Sequence, residues 1–197
     1  MSMAKTIQKR SIETRATLLG AAEELISMNG YEALRVEEVV LRAGTAKGTF
    51  FAHFKDKDRL LDLIIGPKID MYLDALQNYP PPQTVEEVTE ALMPLCEFMT
   101  CERYVFDVIL RYSGAAGVED IGPIATTFGR QIEVLSGWFN DTPFRKDIAP
   151  ELLAEGIQAF MLQAMAAKFC ALHSSQSVQG RLQIYLEAWL SPRIDRT

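Results

Sequence analysis

Residues 44–61, GTAKGTFFAHFKDKDRLL, contain the pattern that decides the fold. Phe50 and Phe54 lie four residues apart, the spacing of one helical face, and Lys47 precedes them where a helix N-terminus can approach DNA. In the preceding segment, 34–43, apolar residues recur at helical spacing, and Gly44 follows as a C-terminal cap residue would. Two short helices around a Gly turn form a helix-turn-helix, which places its second helix in the DNA major groove.

The same periodicity extends to both sides of this stretch. Apolar residues recur every third or fourth position over residues 12–29, which predicts a first helix. Helices two and three are expected at about 36–43 and 46–54, and a fourth should begin at Lys57 with Asp56 as its cap. We expect no strand in this front segment.

The fourth helix should continue to the prolines at 80–82 and connect two domains. Gly66 and Pro67 lie inside it, and because proline removes a helix hydrogen bond, we expect a kink or break near residues 64–66. Five more helical patterns follow, at about 85–99, 102–112, 123–139, 150–172 and 178–190. The pattern predicts an all-α chain.

Charge separates the front of the chain from the rear. The net charge of −6, taken alone, argues against a nucleic-acid partner. Residues 1–60, however, hold ten Lys and Arg against eight Asp and Glu, whereas residues 61–197 hold ten against eighteen. Positive charge is therefore concentrated in the segment that carries the helix-turn-helix pattern, where a DNA phosphate could meet it.

No segment of the sequence has the pattern of a membrane span or a secretion signal. The longest nearly apolar run, 159–172, is interrupted by Gln163 and Lys168 and is too short to cross a bilayer. No basic-then-apolar stretch occurs at the start. We therefore expect a cytoplasmic protein without a membrane partner.

The front of the chain resembles the TetR family of bacterial transcriptional repressors over roughly residues 11–61. Residues of the opening helix and of the reading unit carry the resemblance. These are Thr14, Arg15, Ala21, Ala22, Gly30 and Tyr31, followed by Ala43, Gly44, Gly48, Thr49, His53, Phe54, Lys57 and Leu60. After residue 61, the chain resembles the family only in its helical character and its length.

The resemblance implies a domain organisation and a function. Residues 1–61 would form a three-helix DNA-binding domain, joined by the connector helix to a larger ligand-binding and dimerisation domain, residues 62–197. The expected protein is a homodimeric, ligand-responsive regulator, most simply a repressor. It would bind a near-palindromic double-stranded DNA operator and leave it when a small-molecule effector binds. No cofactor is expected.

Nine residues are expected to contact DNA. In the family, the lysine that matches Lys57 binds a phosphate, although a solvated charge is the alternative, and His53 could instead pack on the fourth helix. Phe51 stands where the family often has tyrosine, while Arg35 and Ala46 replace the usual capping hydroxyl residues, so that Thr45 becomes the expected cap of the reading helix. The full set is Arg35, Thr45, Ala46, Lys47, Gly48, Thr49, Phe51, His53 and Lys57.

Apolar side chains of the rear domain are candidates for a ligand pocket. Bulky apolar residues at helical spacing are more often plain core, so a pocket among them rests on the resemblance. The candidates are Met93, Phe98, Phe106, Ile109, Tyr112, Phe128, Trp138, Phe160, Met161 and Met165.

The last two helices carry a stripe of small residues and a stripe of bulky ones. Two such stripes on terminal helices suggest a four-helix seam across a two-fold axis, although both could equally face the core of their own chain. The proposed seam consists of Ala164, Ala167, Ala171, Leu182, Tyr185, Leu186 and Trp189.

Two other functions were weighed against ligand-responsive DNA binding. A DNA-binding regulator could be triggered by oxidation of Cys96, Cys101 or Cys170, although few basic groups lie near them in sequence. An all-helical enzyme has little support, because His173 lacks the separated acid and nucleophile of a triad, and no metal-ligand spacing occurs. We therefore expect neither an enzyme nor a bound metal.

Overall fold

A computed structural model describes residues 2–114, 121–170 and 175–192, with side chains from residue 8 onward. Within these ranges the chain forms α-helices and one 3-10 turn, with no strand, which confirms the predicted all-α class. The helices are α1 Ser2–Asn29, α2 Val36–Arg42, α3 Lys47–His53, α4 Lys57–Gln77, α5 Val85–Met99, α6 Arg103–Tyr112, α7 Pro123–Ser136, α8 Pro150–Lys168 and α9 Val178–Leu190, and the 3-10 turn is Gly137–Phe139.

The first three helices surround a small apolar core of their own. Phe50 and Phe54 are fully buried in it, with ring centroids 5.3 Å apart, and Leu18, Ala22 and Val39 complete it from α1 and α2. The two phenylalanines therefore fix which face of α3 turns inward, as their spacing predicted. The opposite face of α3 is left to the surface.

The turn between α2 and α3 is closed by backbone hydrogen bonds around Gly44. Gly44 has φ +62°, a left-handed conformation that residues with a side chain rarely adopt. Its N–H donates to the carbonyl of Leu41 at 3.2 Å, and the N–H of Thr45 donates to the carbonyl of Val40 at 2.9 Å. This is the Schellman pattern of helix termination, and it confirms Gly44 as the C-terminal cap.

The connector helix α4 begins as predicted but is not interrupted. The side chain of Asp56 accepts a hydrogen bond from the N–H of Arg59, which confirms the cap. Of the kink or break expected near residues 64–66, the break is wrong, because α4 runs through Gly66 and Pro67 as one helix of 21 residues. Packing explains Gly66: a Cβ there would lie 2.8 Å from the backbone carbon of Pro123 and 2.9 Å from the nitrogen of Ile124.

The close contact between α4 and α7 is held by a buried carboxylate. Asp62 accepts a hydrogen bond from the N–H of Ile124 at 3.0 Å and pairs with Arg59 at 3.0 Å. Burial raises the pKa of Asp62, while the Ile124 N–H and Arg59 oppose that rise. Asp62 thereby caps the first turn of α7, whose own N-cap residue is Gly122.

The remaining helices form the rear domain with boundaries close to those predicted. α5 and α9 have the predicted bounds, α8 ends at Lys168 rather than near residue 172, and α1 begins at Ser2, ten residues before the expected start at 12. α8 packs on α7 and α9, and α9 packs in addition on α5. In the described parts of the chain, no helix is both long and apolar enough to span a membrane.

Candidate nucleic-acid interface

The outer face of α3 presents polar and aromatic groups to the surface. Lys47, Gly48 and Phe51 are exposed, and Phe51 keeps 48% of its surface accessible. Thr49 and His53 are half-buried beside them. The five residues expected to read DNA therefore lie on the part of α3 that the front core leaves uncovered.

Lys47 is held by an ion pair across the turn. Its amino group binds the carboxylate of Glu37 in α2, and both side chains are more than half exposed. Hydrogen bonding to Lys47 is the main cause that lowers the pKa of Glu37. The pair orients the lysine along the surface of the helix-turn-helix, and exposed pairs of this kind are weak enough to exchange partners.

The predicted cap of α3 is wrong. Ala46 occupies the N-cap position and makes no side-chain cap, while the hydroxyl of Thr45 is buried and has no hydrogen-bond partner within the described residues. The Schellman turn directs Thr45 inward, because its N–H must reach the carbonyl of Val40. Thr45 and Ala46 therefore serve the turn geometry rather than the helix cap.

Within the described residues, nothing near Gly48 requires a glycine at this position. A Cβ built on it would meet no atom within 4 Å, and its φ is not in the left-handed region. A glycine inside a helix generally costs about 0.5–1 kcal/mol relative to alanine. A close approach by another molecule is the physical situation in which that cost is offset.

The side chain of Arg35, at the N-cap of α2, binds the loop that precedes α2. Its guanidinium donates to the carbonyls of Glu32 at 2.8 Å and Leu34 at 3.3 Å. The side chain makes no cap hydrogen bond to α2, as expected for a residue that replaces a hydroxyl cap. The guanidinium thereby stabilises the loop ahead of α2 and stays exposed.

Lys57 contacts both the loop before α2 and helix α6. Its amino group donates to the carbonyl of Leu34 at 3.3 Å and lies 4.1 Å from the ring centroid of Tyr104. Burial, followed by repulsion from Arg35, lowers the pKa of Lys57. The hydroxyl of Tyr104 donates to Asp58, so the first turn of α4 and α6 form one polar cluster. Sequence reasoning missed Tyr104, because 47 positions separate it from Lys57.

A second polar joint lies between the end of α1 and the start of α6. The carboxylate of Glu102 accepts hydrogen bonds from the N–H groups of Tyr31 and Glu32, both at 2.8 Å. Gly30 has φ +84°, and a Cβ on it would lie 2.7 Å from the same carboxylate. Glu102 therefore closes the end of α1 from the rear domain, a role that no local pattern could indicate.

The residues predicted to line a rear pocket divide between core and surface. Phe106, Ile109, Trp138, Met161 and Met165 are buried in the core. The others are half-buried: Met93, Phe98, Tyr112, Phe128 and Phe160. Three separate surface cavities of about 420, 370 and 540 Å³ each include one member of the set, namely Trp138, Met93 and Phe98 respectively.

The two terminal stripes contact each other within the chain. Ala164, Ala167, Leu182 and Leu186 are buried in their own core, so they are not available to a partner. The small residues instead let α8 approach α9, as at Gly156, where a Cβ would overlap the indole of Trp189 and lie 2.7 Å from its Cζ2 atom.

Two residues of the proposed seam remain half-exposed. Tyr185 and Trp189 surround Phe160 on the outer side of α8 and α9, with ring centroids 5.3 and 5.9 Å from it. Ala171 lies outside the described residues, as does His173.

The cysteines have little thiolate character where a pKa shift is resolved. Burial raises the pKa of Cys96 to about 12 and also raises the pKa of Cys101. A thiol that stays protonated reacts slowly with oxidants, which weighs against the oxidation-triggered alternative. Within the described residues, no group of three or more His, Cys, Asp and Glu is placed to hold a metal ion.

In the comparison with known families, the sequence match covers the front of the chain, whereas the structural similarity extends to the rear. The family model described as bacterial regulatory proteins, tetR family, matches residues 18–64, which comprise the second part of α1, all of α2 and α3, and the start of α4. This segment of the chain matches the TetR family. Structural similarity extends beyond this segment: the chain superimposes on Thermus thermophilus FadR, a TetR-family transcriptional repressor solved in complex with lauroyl-CoA, with a TM-score of 0.63. That superposition covers 89% of this chain and 92% of FadR at 15% identity, and it shows the shared fold.

Two curated relatives, both from Bacillus subtilis (strain 168), match this chain over part of its length. It is 32% identical over 101 residues to the uncharacterised HTH-type transcriptional regulator YvdT, 50% of this chain and 51% of that protein. It is 30% identical over 61 residues to the fatty acid metabolism regulator protein, 31% of each chain. The match thus spans about half of one relative and a third of the other.

Proposed function

We propose that this protein is a dimeric transcriptional repressor of the TetR family that binds a near-palindromic operator and releases it when a small molecule binds. One observation carries the proposal. Phe50 and Phe54 anchor α3 in the front core, while Lys47, Gly48 and Phe51 stay exposed on its outer face. A rigidly anchored helix with a polar, glycine-containing outer face has the form of a major-groove reader.

The exposed groups of α3 divide by chemistry into base and backbone contacts. Lys47 can donate to guanine acceptors, and Phe51 can contact a thymine methyl but cannot bind a phosphate as tyrosine would. Lys57 and Arg35 lie beside the same turn, where their positive charges would meet phosphates. Thr49 and His53 complete the face as donors to backbone oxygens. We propose a boundary near residue 61, within the first turns of α4, between the reading domain and the rest.

A second copy of the chain would dock on the outer side of α8 and α9. Phe160, Tyr185 and Trp189 are half-exposed there, and Leu152 and Ile184 keep 49% and 53% of their surfaces accessible. An apolar face of this kind on two terminal helices suits a four-helix seam around a two-fold axis. The dimer would place two α3 helices about 34–36 Å apart, one turn of DNA.

Release would follow from differential binding of an effector. A small molecule that binds better to the arrangement with wrongly spaced reading helices shifts the population off DNA. The polar joints at Lys57 and Glu102 connect the front domain to α6, in addition to the continuous helix α4. The lauroyl-CoA complex of FadR, which shares this fold, supports a small-molecule effector for this chain.

Selection of bound duplexes from a random DNA pool tests the operator proposal. The expected product is a near-palindrome whose half-sites lie one helical turn, or a simple multiple of it, apart. Absence of any enriched sequence would overturn the repressor function. The enriched duplex then serves as the operator in every binding measurement below.

Ile184→Asp tests the dimer surface. The variant places a charge in the proposed seam and should sediment as a monomer, with operator affinity reduced by about 100-fold or more, because two half-sites no longer bind as one unit. Leu110→Asp in α6 is the matched control, since Leu110 is similarly exposed, at 41%, outside the seam. A dimeric Ile184→Asp protein would remove the α8–α9 face from the proposal.

A further inference from the structure

A surface groove of about 540 Å³ lies where the front domain meets α4 and α5. Its α4 wall consists of Lys68, Met71, Tyr72 and Ala75, the i, i+3, i+4 and i+7 positions of one helical face. Seven residues of helix rise by about 10 Å, which gives the length of this wall. The volume lies within the roughly 300–1,000 Å³ range of small-molecule sites.

The groove is apolar along its length and polar at one end. Phe98 of α5 stacks on Tyr72, with ring centroids 5.4 Å apart and planes inclined by 25°. Met71, which keeps 69% of its surface accessible, and Ala75 form the rim. The polar end is Lys68, whose amino group donates to the hydroxyl of Tyr31 at 3.0 Å.

Tyr31 makes this groove a site between two domains. It belongs to the front domain, and its N–H is the group that Glu102 holds from the rear domain. Its ring also lies 5.4 Å from the amino group of Lys68. An occupant that binds Lys68 therefore shares the ammonium group with the Tyr31 hydroxyl and touches the residue on which the joint depends.

We propose that the groove binds a small amphipathic acid, with its anionic group on Lys68 and an apolar body of about 10 Å along Tyr72 and Phe98. Charge complementarity selects the anion, because Lys68 is the one cationic side chain among the residues that line the groove. The stacked rings and Met71 select the apolar body. Binding there acts on Tyr31 through the shared ammonium group of Lys68, and this link to DNA release rests on the function proposed above.

Cys101 offers a direct probe, because it lines the groove and is exposed. Decanoate is the probe molecule, and the full-length protein is alkylated with iodoacetamide with and without it. We expect decanoate to slow alkylation of Cys101 several-fold and to leave the rate at Cys170 unchanged, since Cys170 does not line the groove. Decanol, which lacks the acid, should protect far more weakly.

Two variants locate the effect. Lys68→Met should weaken protection by decanoate about tenfold, the loss expected for one charge-assisted hydrogen bond, whereas Lys146→Met, which also removes one positive charge, should not. Ala75→Trp fills the groove from its exposed rim and should abolish protection. Ala75→Trp keeps the test decisive if Lys68→Met fails to fold.

Three results would overturn the site: an unchanged Cys101 rate at saturating decanoate, equal slowing at Cys170, or protection that persists in Ala75→Trp. The DNA link is measured separately. Decanoate should weaken operator binding by the parent and not by Ala75→Trp. If Cys101 is protected but operator affinity does not change, the site stands and the coupling to release is overturned.

Discussion

Gly66 in α4 and Gly48 in α3 are both helical glycines, and their surroundings differ. A Cβ on Gly66 would lie within 3 Å of the backbone of α7, whereas one on Gly48 would meet nothing within 4 Å. At Gly66 the close approach of two helices offsets the cost of a glycine; at Gly48 nothing within the chain does. Packing within the protein therefore accounts for the glycine at the α4–α7 contact. The glycine on the outer face of α3 instead leaves space in which another molecule could approach the helix.

Openness alone does not identify that partner, because Gly129 in α7 is equally open. The distinction between the two regions has to be made by measuring stability and DNA binding on the same variants. Changes in the α4–α7 contact should act on stability, and changes on α3 should act on DNA.

The largest expected change in stability is that of Gly66→Ala. The added methyl group would overlap the backbone at Pro123 and Ile124, which cannot move without displacing α7. We expect a loss of about 1–3 kcal/mol in the free energy of unfolding, measured by urea denaturation. The folded fraction should still bind the operator. A variant as stable as the parent would show that α7 can shift, and the contrast with Gly48 would disappear.

Lys47→Ala should change which DNA sequence is preferred. If Lys47 reads a base edge, the loss of affinity should be roughly 1–3 kcal/mol at one operator position and small for substitutions elsewhere. Binding to a panel of single-substitution operators measures this. A uniform loss across the panel would make Lys47 a backbone contact.

Glu37→Gln and Arg103→Ala are the companions of that experiment. Glu37→Gln removes the partner of Lys47 and one negative charge near the DNA, so affinity should rise or stay constant. Arg103→Ala breaks an exposed pair with Asp107 in α6 and should leave binding unchanged. Equal losses in Lys47→Ala and Arg103→Ala would indicate a general charge effect.

Lys57→Met distinguishes a phosphate contact from an internal one. The substitution keeps the apolar stem beside Tyr104 and removes the charge. If Lys57 neutralises a phosphate, affinity should fall similarly for all sequences, and the slope of log affinity against log salt should decrease in magnitude by about 0.9. A lower unfolding free energy with an unchanged salt slope would assign Lys57 to the joint between α4 and α6 alone.

The smallest effects are expected at Gly48, and they should have opposite signs. Gly48→Ala should raise the free energy of unfolding by a few tenths to about 1 kcal/mol, because alanine favours the helix. It should also lower operator affinity, since the methyl group would lie between α3 and the DNA. Gly129→Ala should give the first effect without the second. Unchanged DNA affinity in Gly48→Ala would show that Gly48, like Gly129, is an exposed glycine without a role in DNA binding.

Local patterns predicted most of the helices and the buried face of α3. The bounds of α5 and α9, the Gly44 turn, the Asp56 cap and the burial of Phe50 and Phe54 all follow from neighbours within a few positions in sequence. Such features depend on backbone preference and spacing, which a sequence displays directly.

The wrong predictions involve partners that are remote in sequence. Gly66-Pro67 indicated a broken helix, but α7 packs against Gly66 and the helix continues. The stripe of Ala164 and Ala167 could not show whether its partner was a second copy or α9. Packing between helices decided these cases. The periodicity of a sequence does not show which helices pack together.

Glu102 has a consequence for the modularity of these regulators. The end of α1 receives its acceptor from a residue about 70 positions away, so a fragment that stops after the matched segment, residues 18–64, leaves the N–H groups of Tyr31 and Glu32 to water. Chimeras that exchange reading heads between regulators would need a compatible carboxylate at the start of the following domain. Exchange of the front segment alone would therefore remove this contact unless the new partner supplies such an acceptor.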